Sequence, residues 1–261
     1  MQYYLDGKLI HTALRTSNPQ YELFNVNITN PLYMATNYPA ADLNSGIVLV
    51  ANSTEVEYSV VTDWATSGGV VFTAPSVPPA IQSGDTIISL IHITGSTFIL
   101  GTVEGRYYRT ENNGDTWATV ADLSFTGAVF TGLDYSPDSD VLTAAYRDSN
   151  DILQLVYSED KGSSWQYHSP NILNTQSSSA SAALRYAGNN IWVAYGQLAS
   201  TGGLAAKISY DNCYSWSPLY TSDIGSIPKL AVSDSHIIMY SYGLSLPRAF
   251  DIIGGGYFHV I

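Results

Sequence analysis

The sequence predicts an all-β protein, a β-propeller of about five four-stranded blades. Two observations favour this fold. A short segment that ends in tryptophan occurs three times, and its first residues, Thr110, Ser158 and Ser209, lie 48 and 51 positions apart, the length of one blade. Between the copies, short apolar runs alternate with turns rich in Gly, Pro, Asn and Asp, as short antiparallel strands require. With 261 residues, the chain is long enough to bury one core.

The repeated segment has the chemistry of a tight hairpin. The side chain of its third residue can accept backbone N–H groups across the turn, a central glycine permits positive φ, and the final tryptophan packs between sheets. The residues that form the pattern are Thr110, Asn112, Gly114 and Trp117, then Ser158, Asp160, Gly162 and Trp165, and finally Ser209, Asp211 and Trp216.

These segments resemble the Asp-box (BNR repeat) of the sialidase-like propeller superfamily, Ser/Thr-x-Asp-x-Gly-x-Thr/Ser-Trp. The resemblance implies hairpins that join the third and fourth strands of each blade and that have a structural role. The first copy has Asn112 in place of Asp and the third has Cys213 in place of Gly, and we expect looser hairpins there.

The elements follow from the boxes in chain order. An Asp6-Gly7 turn predicts a hairpin within residues 1–30, which either completes a sixth blade or acts as an arm. Residues 31–261 form the propeller domain. Gly-containing turns at 66–69 and 254–256 replace the box in its first and last blades, residues 171–181 form a long loop, and no helix is expected. The blades are expected at 31–75, 86–122, 127–168, 181–221 and 227–261.

Charge and composition exclude several classes of function. With 10 basic and 22 acidic residues the formal charge is −12, which disfavours nucleic acid and anionic membranes as partners. No apolar stretch is long enough to span a membrane, and the first residues do not resemble a secretion signal. Cys213 is the only cysteine, so no intrachain disulfide forms, and a buried spectator thiol is expected.

No catalytic, metal or cofactor site is expected. Sialidase chemistry needs an arginine cluster, a tyrosine nucleophile with a glutamate partner and an acid/base aspartate. The six arginines are scattered, and the Phe/Tyr-Arg-x-Pro motif typical of those enzymes is absent. The five histidines show no metal-ligand spacing, and no glycine-rich phosphate loop occurs. Asp134, Asp138 and Asp140 are interpreted as a solvated turn rather than a calcium site.

Charged residues mark one candidate binding face. In a four-stranded blade, the turns between the second and third strands emerge opposite the boxes. Mixed charges there suit a partner with complementary charges, although turns commonly carry charges for solubility alone. The residues expected on or near this face are Glu104, Arg106, Arg147, Asp148, Asp151 and Arg248.

The function predicted is a structural or host-recognition component of a virion, most plausibly of a tailed bacteriophage, made in the host cytoplasm. Low charge and abundant Tyr, Ser, Thr and Asn favour this interpretation. Its expected partners are other virion or assembly proteins, further copies of the chain, or a surface glycan. Two alternatives stay open: a glycan-binding or glycan-cleaving module, whose tyrosines stack on sugar rings, and an intracellular assembly factor.

Overall fold

A computed structural model shows an all-β chain. Among the residues that the structure describes, all regular elements are strands, and every pairing between those strands is antiparallel. In the part of the chain that the structure describes, no helix is long and apolar enough to cross a membrane. The described residues are 2–5, 8–13, 20–24, 33–37, 46–61, 71–123, 125–126, 128–168, 172–174, 182–197, 204–222, 229–232, 236–240, 248–251 and 258–260.

The chain divides into two compact units, Met1–Asp122 and Leu123–Ile261. The first unit contains three sheets whose strands follow chain order. They are β1 (Gln2–Leu5), β2 (Lys8–Ala13) and β3 (Gln20–Phe24); β4 (Tyr33–Asn37), β5 (Gly46–Ala51) and β6 (Val56–Val61); and β7 (Ile87–Thr94), β8 (Thr97–Thr102), β9 (Arg106–Thr110) and β10 (Ala118–Asp122).

The sheet β4-β5-β6 is extended by one more backbone pairing. The Tyr58 N–H donates to the Thr73 carbonyl at 3.0 Å, and the Thr73 N–H donates to the Tyr58 carbonyl at 2.8 Å. The segment around Thr73 therefore lies where a fourth strand is expected. The turn predicted at 66–69, which would lead into it, lies outside the described residues.

The second unit also contains three sheets. The first holds β11 (Val129–Ser136), β12 (Val141–Arg147), β13 (Ile152–Ser158), β14 (Gln166–Tyr167) and β15 (Leu173–Asn174), and β14 and β15 both pair with β13. The other two are β16 (Ala182–Gly188), β17 (Ile191–Gln197), β18 (Leu204–Ser209) and β19 (Tyr220–Ser222), then β20 (Lys229–Val232), β21 (His236–Tyr240), β22 (Arg248–Asp251) and β23 (Phe258–Val260).

Each unit has a core between neighbouring sheets, because the apolar faces of two antiparallel sheets must cover each other. In the first unit this core includes Leu49, Phe98, Tyr108 and Trp117. In the second it includes Leu155, Leu184, Trp192 and Cys213. The cores thus hold adjacent sheets face to face, and they include Trp117 of the first repeat and Cys213 of the third.

Most predicted strands are observed. Five of the six described sheets correspond to the segments expected as blades, except that β15 lies beyond residue 168, and residues 2–24 supply the sixth sheet. One prediction is wrong: the tract 171–181 is not a loop throughout, because Leu173 and Asn174 pair with Leu153 and Ile152 of β13. Backbone hydrogen bonding to β13 continues past Tyr167, which a serine-rich composition does not reveal. The turn predicted at 254–256 lies outside the described residues.

Candidate binding surfaces

Three hairpins with one geometry join the third and fourth strands of their sheets, as predicted. We call residues 110–117, 158–165 and 209–216 the box hairpins. In each, the hydroxyl of the first residue accepts the N–H of the fifth, and the side chain of the third accepts the N–H of the seventh. The first distances are 3.0 Å at Thr110, 2.8 Å at Ser158 and 2.7 Å at Ser209, and the second are 2.9 Å at Asn112, 2.7 Å at Asp160 and 2.8 Å at Asp211.

The third-position carboxylates of the box hairpins, Asp160 and Asp211, are engaged by these local contacts. Asp160 also accepts the hydroxyl hydrogens of Ser158 at 2.7 Å and Ser164 at 2.6 Å, and the bonds from Ser164 above all lower its pKa to about 2. At Asp211, burial acts to raise the pKa, but hydrogen bonds from Ser215 and Ser209 outweigh it and the pKa is lowered. These groups serve the turn, since hydrogen bonds to the charged form stabilise it.

The fifth position of the box hairpins shows how a side chain is accommodated. At Gly114, φ is +98° and an added Cβ would lie 2.9 Å from Tyr58 Cβ and 3.1 Å from Leu49 Cδ2. Cys213 has φ of 69° and its side chain is fully buried in a cluster with Ala145 and Leu155. Glycine is required at the first site, whereas a small thiol is tolerated at the second.

The looser hairpins predicted at Asn112 and Cys213 are not observed. Asn112 supplies the same acceptor oxygen as aspartate, and its amide donates to Thr116 Oγ1 at 2.8 Å. The third hairpin differs at its tryptophan instead. Trp117 and Trp165 donate their indole N–H to the fifth-residue carbonyl at 2.9 and 3.0 Å, whereas that of Trp216 is buried without a partner among the described residues.

Arg106, predicted to face a partner, lies in an ion-pair network. Its Nη1 is 2.9 Å from Asp85 Oδ2 and its Nε is 3.5 Å from Asp122 Oδ2. The Asp85 side chain is only 1% exposed, and it also accepts the N–H of exposed Glu104 at 3.2 Å. Arg106 therefore ties β9 to the segment before β7.

The corresponding turn of the second unit is also closed by its charged residues. Arg147 Nε lies 3.2 Å from Asp151 Oδ1, and the Asp148 carboxylate accepts the N–H groups of Asn150 at 2.8 Å and Ile152 at 3.1 Å. Glu104, Asp148 and Asp151 do occupy second-to-third turns, with Arg106 and Arg147 at the adjoining strand ends. Arg248 begins β22, and its side chain lies outside the described residues.

The three aspartates around the β11–β12 turn bind protein groups. Asp134 accepts the Tyr186 N–H at 2.9 Å, Asp138 accepts the Tyr186 hydroxyl, and Asp140 accepts the Tyr135 hydroxyl at 2.6 Å. Within the described ranges, no group of three or more His, Cys, Asp or Glu side chains is placed to hold a metal ion.

The rings of Tyr157, His168 and Tyr214 are in contact, and Tyr210 lies in the same hairpin as Tyr214. We call these four residues, which the repeat pattern did not predict to lie together, the aromatic surface. The His168 ring centroid lies 4.9 Å from that of Tyr157 and 5.4 Å from that of Tyr214. Tyr214 is 70% exposed and Tyr210 is 53% exposed. The available signal was the tyrosine at the second and sixth positions of the third box hairpin.

Comparison with solved structures identifies the fold. No protein-family model and no curated protein matches the sequence. YCF48 bound to a D1 peptide matches with a TM-score of 0.59 and 14% identity over 97% of this chain and 75% of that one. The GH74 xyloglucanase of Xanthomonas campestris matches with a TM-score of 0.60 and 14% identity over 94% of this chain. The match covers only 40% of the enzyme. An arginine-to-alanine mutant of AofleA from Arthrobotrys oligospora matches with a TM-score of 0.57 and 14% identity over 88% of this chain and 71% of that one. These neighbours are β-propeller proteins, and the likeness shows a propeller-like all-β fold.

Proposed function

We propose that this protein is a non-catalytic β-propeller that binds or scaffolds other molecules. In this proposal the box hairpins are Asp-boxes, the sheets from β4 to β23 form five blades, and residues 1–30 form an arm or a sixth blade. The proposal rests on one observation: four of the charged residues singled out by the sequence hold turns, whereas Tyr210 and Tyr214 of the aromatic surface are exposed. An acid, base or nucleophile needs a side chain that can exchange a proton or bond with substrate.

Charged residues of the candidate face are already engaged by other groups of the chain. Arg106 is engaged by Asp85 and Asp122, Arg147 by Asp151, and Asp148 by backbone N–H groups. Groups held in this way build rigid turns, and a rigid turn positions a contact surface at little entropic cost. The YCF48 neighbour, bound to a peptide, supports binding as a use of this fold.

We further propose that the protein is a structural or host-recognition component of a virion, most plausibly of a tailed bacteriophage. Its partners are then virion or assembly proteins and further copies of the chain. Support comes from composition: 12% charged residues and 20 tyrosines suit extensive polar and aromatic contacts better than a freely diffusing catalyst.

Mass spectrometry of purified particles tests this setting. Particles are separated on a density gradient, and peptides of this chain are quantified against a known coat protein. A fixed stoichiometry in every infectious fraction is expected. Absence from the particles, together with turnover of a glycan library by the isolated chain, contradicts both the virion setting and the non-catalytic function.

A glycan-binding module is the second candidate, because exposed tyrosine rings can stack on sugar rings. The 70% exposure of Tyr214 is the observation that favours it. It differs from the glycoside-hydrolase alternative in requiring no carboxylate pair. Reducing-sugar release from a mixed glycan library separates the two, since a binding module releases none.

A further inference from the structure

We propose that the aromatic surface is a binding site for a neutral carbohydrate. This inference rests on the proposed function, because it names the site and the ligand chemistry of a binding protein. Four side chains carry it: Tyr157 from β13, His168 directly after β14, and Tyr210 and Tyr214 from the third box hairpin. The surface therefore spans two neighbouring sheets within one unit of the chain.

The box hairpin does not need tyrosine at these positions. The other two hairpins have Glu111 and Glu159 where the third has Tyr210, and Asp115 and Ser163 where it has Tyr214. All three hairpins keep the same two defining hydrogen bonds. An exposed tyrosine ring at 70% accessibility adds little to the stability of such a turn, so a role outside the hairpin accounts for it.

The rings are held in place before any ligand arrives. The Tyr214 N–H donates to the Asp211 carbonyl at 3.3 Å, which fixes the backbone beneath the ring. His168 Nε2 lies 2.9 Å from the Asn212 carbonyl, and since a carbonyl only accepts, Nε2 carries the proton. The His168 ring is thus locked between Tyr157 and Tyr214, and a rigid aromatic site binds with little loss of entropy.

The groups around the rings match a sugar. A sugar ring offers an apolar C–H face for stacking and hydroxyls at its edge for hydrogen bonds. Exposed Gln166 accepts the Tyr157 hydroxyl hydrogen at 3.0 Å through Oε1, and its amide N–H groups have no partner within the described ranges. Aromatic faces and amide donors therefore lie side by side on this surface.

Charge and size select a neutral glycan. Asp211, directly beside Tyr210, is ionised at neutral pH because its pKa is lowered, and the whole chain carries a formal charge of −12. Both disfavour acidic sugars. Four side chains are far fewer than the roughly 20–30 residues that each partner contributes to a stable protein interface, which favours a small ligand over a protein partner.

The test begins with a printed array of neutral oligosaccharides of gluco, galacto, manno and xylo configuration, with sialylated glycans beside them. The strongest neutral ligand is then titrated by calorimetry against the full chain and its variants. We expect Tyr214→Ser, which installs the residue of the second hairpin, to weaken binding about tenfold or more. Tyr214→Phe, which keeps the ring, should retain most of it.

Tyr167→Ser is the matched control. Tyr167 is 69% exposed, nearly as much as Tyr214, but its ring stacks on Phe125 rather than on His168. Its substitution should leave binding unchanged. Far-UV circular dichroism and the melting temperature show whether each variant is folded.

Three outcomes overturn the inference: no binding to any neutral glycan, binding only to sialylated ones, or equal binding by the wild type and Tyr214→Ser. A fourth, loss of Tyr214→Ser from particles without any glycan binding, shows that a protein partner covers the surface instead. Particle incorporation with no glycan binding leaves the proposed function standing, so the two failures are distinguishable.

Discussion

Cysteine occupies the fifth position of the third box hairpin, where the other two hairpins have glycine. Gly114 packs against Leu49 and Tyr58, whereas Cys213 is buried in a cluster that contains Ala145 as well as larger apolar side chains. A φ of 69° carries a cost of about 1 kcal/mol for a non-glycine residue. Burial of the thiol among apolar side chains offsets part of that cost.

The burial of Cys213 leads to a prediction about its reactivity. Burial raises the pKa of the thiol well above its usual range, and the nearby Asp211 charge adds to this effect. Since the thiolate is the reactive species, we expect negligible labelling by a thiol reagent at pH 8 in the folded protein and one rapid equivalent in urea. The measurement is absorbance of released thionitrobenzoate over time. Fast labelling without denaturant would contradict the buried position.

Asp160 should make the second box hairpin sensitive to acid. Its pKa is about 2 in the folded chain, below the value of about 3.9 expected when unfolded. The stabilisation is therefore complete above about pH 5 and is lost as the pH falls through the folded pKa. Asp160→Asn introduces the residue that the first hairpin has at this position, Asn112. The amide keeps the acceptor oxygen but does not titrate, so the stability of this variant should change less between pH 6 and pH 2.5 than that of the wild type.

Urea unfolding at the two pH values provides the measurement. Glu159→Gln is the control, because Glu159 is exposed and lies next to Asp160 in the same hairpin. Asp160→Ala, which removes the acceptor, should cost about 1 kcal/mol at pH 7, with ligand binding unaffected in the folded protein. An alanine variant of full stability that has lost binding would show that the box has a direct functional role.

At the scale of the element, the sequence predicted the features whose hydrogen bonds join residues close together in the chain. The hydrogen bonds of each box hairpin lie within eight residues, so the motif was sufficient to place them between third and fourth strands. It did not reveal that Arg106 pairs with Asp85, 21 positions earlier, or that Tyr58 donates to Asp115, 57 positions later. The aromatic surface was missed for the same reason, since its rings come from two sheets.

The ion pairs of Arg106 indicate a structural role rather than the partner-binding role expected from the sequence. Arg106→Glu would place a carboxylate against buried Asp85 and near Asp122, so we expect a clear fall in melting temperature. Breaking a buried pair by reversing one partner leaves the other charge uncompensated.

Arg109→Glu is the matched control for that experiment. Arg109 pairs with Glu111, whose side chain is 70% exposed, and surface pairs contribute at most about 1 kcal/mol. Differential scanning calorimetry should therefore show a much lower melting temperature for Arg106→Glu than for Arg109→Glu. Equal melting temperatures would mean that the Asp85 pair contributes little to the fold.

At the scale of the whole molecule, two kinds of surface are separate. The second-to-third turns carry charges that are satisfied within the chain, whereas the third box hairpin carries exposed rings. A formal charge of −12 disfavours contact with other anions. Specific contacts then depend on aromatic and neutral polar groups. Such groups bind over short distances, and salt affects their binding little.

The described sheets share no strand with one another, and β1-β2-β3 is one of them. The effect of removing it therefore depends on whether it covers the apolar face of a neighbouring blade, and as an arm it covers none. We therefore expect the chain 31–261 to melt close to the full-length temperature, while its incorporation into particles falls sharply. Calorimetry and particle mass spectrometry measure the two effects separately. Wholesale unfolding of the truncated chain would instead place residues 1–30 inside the propeller as a sixth blade, because a missing blade exposes the apolar faces of both its neighbours.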